Sequence, residues 1–121
     1  MIKNCFKDTV EFEKDVYIGD EKIATIKAFS RTDRAYIEKA SSNKQFIDGE
    51  IVTELNYNKM EFAMVFRALK SWEFDREITE HNVDVLEDEY FNAISKAVQE
   101  MEKGYSKNKE GIVKNLKKQS G

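Results

Sequence analysis

Phe66-Arg-Ala-Leu-Lys-Ser-Trp-Glu-Phe-Asp-Arg-Glu-Ile-Thr-Glu-His-Asn-Val-Asp-Val-Leu86 contains the change of character on which the fold turns. A dense apolar run at helical spacing reaches the only tryptophan, Trp72, and gives way to a charged connector over residues 73–77. Thr79 then offers an N-cap, and Glu80 suits the positive end of the new helix dipole. Ile78 and Val83 stand at the two positions of a hydrophobic staple, which fixes the angle at which the chain joins the helix. The stretch reads as a joint between two helices, with Trp72 packed at the end of the first.

Upstream of the joint, Asn56 or Asn58 caps a helix predicted through residue 72. Met60, Phe62, Ala63, Met64, Val65, Phe66, Ala68, Leu69 and Trp72 nearly encircle it. A helix apolar on most sides either runs through the core or keeps one stripe for a partner. Downstream, Asp88 begins the strongest amphipathic pattern in the chain. Tyr90, Phe91, Ile94, Ala97, Val98, Met101 and Tyr105 recur three or four apart, and Gly104 is the natural C-cap. Ile112, Val113 and Leu116 supply one or two further helical turns.

The first half of the chain carries the strand signals. Residues 8–29 read as a hairpin turning near Gly19-Asp20, with Ile23, Thr25, Lys27 and Phe29 on one face of its second arm. Ala24, Ile26 and Ala28 form the other face, which carries no charge and is expected to be the buried one. Ser30 or Thr32 starts a short helix, with Asp33 against its dipole, and Ser41 to Lys44 stop it. Residues 45–55 read either as a second hairpin around Asp48-Gly49 or as an ordered loop. The fold class is α+β: an N-terminal β-hairpin, with or without a further short strand, followed by three to four clustered helices.

With 121 residues, 40% hydrophobic and 36% charged, the chain is long enough for one core without metal or disulfide staples. It is read as a globular domain over residues 1–104 and a basic, flexible tail over 105–121. Six lysines against Glu110 give residues 103–121 a charge of +5, which leaves −8 for the rest of a chain whose net charge is −3. No apolar run suits a membrane span, and the single cysteine fits a reducing cytoplasm. No membrane, nucleic-acid or cofactor partner is expected. An alternative is a small mobile-element regulator or nucleic-acid-associated protein acting through the basic tail.

Residues for chemistry are few. His81 is the only histidine and Cys5 the only cysteine, too far apart in sequence to suggest a ligand set. Glu87-Asp-Glu89 and Glu11/Glu13 read as solvated carboxylates. Neither a calcium loop nor a glycine-rich phosphate cradle is present. No catalytic, metal or cofactor-binding residue is assigned, and the chain is read as a non-enzyme.

The order of Leu69-Lys-Ser-Trp72, the charged connector, Ile78-Thr79, Val83 and Leu86, then Phe91 and Ile94, resembles the tail assembly chaperones of long-tailed bacteriophages and prophages. The earlier hairpin followed by Phe29-Ser-Arg-Thr-Asp-Arg34 is similar to that group as well, although the connector lacks the proline usual there. The resemblance implies a non-catalytic protein of the host cytoplasm. Such a protein binds the long helical tape measure protein, helps recruit tail tube subunits, and is often made in both a short and a frameshifted longer form. Self-association is a further expectation. A chaperone for an exposed helix needs an apolar surface with a charged perimeter. Met60, Met64, Phe66, Tyr90 and Phe91 are the candidate partner-binding residues, chosen for surplus hydrophobicity and not from the family.

Overall fold

The computed structural model describes residues 2 and 5–120, with residues 105–120 described by their backbone alone. Strands β1 (Glu13–Ile18) and β2 (Glu21–Lys27) form the expected hairpin. Its two-residue turn has Gly19 at φ 60° and Asp20 at negative φ, as a type II′ turn with glycine leading requires. Residues 10–12 form a 3-10 turn instead of the start of β1. Opposite them β2 has ended at Lys27; the Ala28 amide still donates to Phe12 O at 2.9 Å, and the chain then bends into a helix that cannot continue the ladder.

Helix α1 (Arg31–Ser41) begins with a complete capping box. Ser30 Oγ accepts from the Asp33 amide at 3.1 Å, and the Ser30 amide donates to Asp33 Oδ2 at 2.9 Å. Strands β3 (Ser42–Ile47) and β4 (Glu50–Leu55) resolve the ambiguous segment as a second hairpin. Asp48 and Gly49 have φ values of 51° and 81°, both positive as a type I′ Asp-Gly turn demands. Helix α2 (Tyr57–Ala68) starts at Asn56, whose Oδ1 accepts from the Lys59 amide at 3.1 Å.

The joint departs from the sequence reading. Helix α2 ends at Ala68, and Leu69–Trp72 form strand β5, antiparallel to β2. The three-stranded sheet has the order β1-β2-β5. Without β5, the inner edge of β2 would leave backbone groups unpaired where water is excluded, which is expensive. Its pairing outweighs the helical preference of Leu69 and Lys70, and the Glu73 amide continues the ladder with a 2.9 Å bond to Ile23 O. Trp72 therefore sits on a sheet edge, not at a helix end.

Strand β2 is also buried on both faces: Ile23 and Thr25 are enclosed along with Ala24 and Ile26. The register steps from Val16↔Ala24 to Tyr17↔Lys22, leaving Ile23 as the extra residue of a bulge, which re-aims its side chain. Thr25 satisfies its hydroxyl by donating to Asp15 at 2.9 Å.

After the connector, α3 (Glu80–Asp84) starts at Thr79, whose Oγ1 accepts from the Asn82 amide at 3.1 Å. Val83 is buried and Ile78 packs against the core, as a staple would place them. Helix α4 (Asp88–Ser120) lies across β1, β2 and α2 and passes through Gly104, so that glycine is not a cap. Phe29, Ile26, Val65, Val83, Ile94 and Val98 fill the centre of a core shared by the sheet, α2, α3 and α4. No helix among the described residues is long and apolar enough to cross a membrane.

Candidate functional site

A broad concavity with an apolar lining opens where four helices meet. Tyr36 and Ala40 of α1, Phe62 of α2, Val83 of α3, Leu86 of the turn after it and Phe91 of α4 provide its apolar surface, with Lys59, Glu61, Asp84 and Asp88 around them. It is an open groove of about 640 Å³, a shape suited to an amphipathic helix laid along it.

One wall is held rigidly. The Tyr36 ring lies 6.0 Å from Phe66, centroid to centroid, and the Arg67 guanidinium sits 5.1 Å above the Tyr36 ring. The Tyr36 hydroxyl donates to Glu80 Oε1 at 2.5 Å. That bond, together with burial, raises the Tyr36 pKa and keeps the phenol protonated. Three helices thus fix one aromatic side chain before any partner arrives, which lowers the ordering cost of binding.

Arg67 reaches further, to Asp33. Its Nε and Nη2 contact Asp33 Oδ1 at 2.7 Å, while Lys27 Nζ contacts Oδ2 at 3.0 Å. The Asp33 side chain is only 2% exposed. Burial alone would raise its pKa; the Ser30 amide, Lys27 and Arg67 outweigh that and hold the carboxyl at about 2. Asp33 thereby ties β2, α1 and α2 together behind the Tyr36 wall. The sequence showed the cap but not this hub, because Lys27 and Arg67 arrive from other elements.

The five candidate partner residues are all half-buried, and the fold separates them. Phe91 lines the groove and Phe66 backs its Tyr36 wall. Tyr90 belongs to a neighbouring hollow, where its ring meets Phe74 at 5.2 Å and Phe74 meets Trp72 at 5.2 Å. Trp72 Nε1 donates to Arg76 O at 2.6 Å, pinning the connector over that hollow. Met60 and Met64 lie roughly 160° around α2 from Phe62 at 100° per residue, away from the groove. Tyr36, Phe62, Val83 and Leu86 were not singled out as partner residues. Their apolar spacing was visible, but their convergence from separate elements was not.

A second apolar surface stands on the β3–β4 hairpin, where residues 43–55 are all exposed. Phe46 and Ile51 face each other across the ladder at 76% and 70% exposure, with Leu55 on the same face. Two strands alone are marginal in water, and this pair has little beneath it.

Neither surface carries a catalytic arrangement. His81 and Cys5 are exposed. Among the described residues no group of histidine, cysteine and carboxylate side chains is placed to hold a metal ion. What the groove can do is bind, through apolar contact and an acidic rim. A family model described as phage tail assembly chaperone matches residues 3–112. No curated protein and no solved structure matches the chain.

Proposed function

The chain belongs to the phage tail assembly chaperone family, and from that premise we propose that it holds a helical segment of the tape measure protein in the groove between α1, α2, α3 and the start of α4. The observation that carries this reading is the pre-set Tyr36 wall beside exposed parts of Phe62, Leu86 and Phe91. A client helix laying its apolar stripe there would be shielded from other copies of itself, while the acidic body keeps the complex soluble. Tail tube subunits are the second partner in this scheme. The protein contributes binding and no bond chemistry, in the host cytoplasm, with residues 1–104 as the globular unit and 105–121 as an appended basic segment.

Co-expression with the tape measure protein tests the reading. The client should move into the soluble fraction and co-purify with this chain. A groove variant, Leu86→Asp, should lose that effect while retaining cooperative unfolding. If the client stays insoluble with wild-type protein, or the groove variant rescues it equally well, the proposal fails.

A further inference from the structure

We propose that the same groove receives the lysine-rich C-terminal segment of a second copy of this chain. The rim carries Glu61, Asp84 and Asp88 against Lys59, so any occupant is favoured if it combines an apolar stripe with positive charge. Residues 103–121 have that composition: six lysines against Glu110, with Ile112, Val113 and Leu116 at i, i+1 and i+4. The backbone there is helical, so the spacing places those three residues on one side of a basic amphipathic helix.

The segment cannot reach its own groove. Asp88, on the rim, is the first residue of α4, and the helix runs without interruption to Ser120. At 1.5 Å per residue, Ile112 lies about 36 Å along the axis from Asp88. A continuous helix delivers its far end away from the site at which it begins, so the occupant comes from another chain. Two copies exchanging segments reciprocally close as a dimer, and one-way exchange grows with concentration. This contact needs no client, so it stands or falls separately from the chaperone reading.

Sedimentation velocity on the full chain over a range of concentrations provides the test, at low and high salt. Two variants separate the partners in the contact. Asp84→Lys takes the rim from a charge of −2 to zero at the exposed last residue of α3, where a cation suits the helix dipole. Lys114→Glu with Lys117→Glu and Lys118→Glu reverses the segment. Wild type should self-associate, less so in high salt, and each variant alone should associate about tenfold more weakly or worse. Mixing the two should restore association, because the intact acidic rim of the segment variant meets the intact basic segment of the rim variant. A wild-type chain that stays monomeric throughout overturns the proposal, as does association indifferent to both variants or a mixture that fails to associate.

Discussion

Replacing Asp33 with Asn should cost about 2–3 kcal/mol of folding stability at neutral pH, and the cost should vanish in acid. The carboxylate is held at about 2 against an ordinary 3.8; at about 1.36 kcal/mol per pKa unit, that depression is worth about 2 kcal/mol. Asparagine keeps an acceptor for the Ser30 amide but leaves Lys27 and Arg67 facing a neutral group. Removing one partner of a buried pair costs about 3–5 kcal/mol. Here Lys27 and Arg67 are each 33% exposed and can turn to water, which brings the expected loss to the lower figure.

The sign follows from the direction of the depression. A folded-state pKa below the unfolded one gives stability that is fully present above about 4 and fades as pH falls through the folded value near 2. Urea titrations followed by Trp72, the single tryptophan, should therefore give wild-type and Asp33→Asn curves far apart at pH 7 and converging near pH 2. A gap below ~0.5 kcal/mol at pH 7, within ordinary surface-substitution scatter, would refute the hub. So would an undiminished gap in acid.

Three further outcomes test the frame around the groove. Leu69→Ala, at the buried start of β5, should cost about 2–4 kcal/mol by urea unfolding, whereas a loss near zero would mean β5 is not part of the core. Thr79→Ala removes the acceptor for the Asn82 amide and should cost about 1 kcal/mol, with Thr79→Ser recovering most of it. Phe46→Ser with Ile51→Ser, on the exposed hairpin face, should change stability by less than about 0.5 kcal/mol; a larger loss would show that this face is covered in solution.

The helix starts were the most legible features of the sequence. Ser30, Asn56 and Thr79 each cap as their residue types require, because a cap is settled within four residues. The Gly19-Asp20 and Asp48-Gly49 turns are local in the same sense. What escaped the sequence depends on partners distant along the chain. Leu69–Trp72 carries a helical pattern and becomes a strand because β2 offers an edge more than forty residues earlier. Asp33 looks like an ordinary first-turn carboxylate until Lys27 and Arg67 converge on it. Surplus hydrophobicity drew equal attention to Phe66 and Phe91, which lie at the groove, and to Met60 and Met64, which do not, since one-dimensional spacing does not say which side of α2 faces α1.

The most direct measurement is a titration of the isotopically labelled full chain with a helical segment of the tape measure protein, followed by aromatic and methyl NMR. The account requires the largest shifts at Tyr36, Phe62, Val83, Leu86 and Phe91, with Phe46 and Ile51 unmoved. Shifts confined to the β3–β4 hairpin, or to Met60 and Met64, would place the client elsewhere and contradict it.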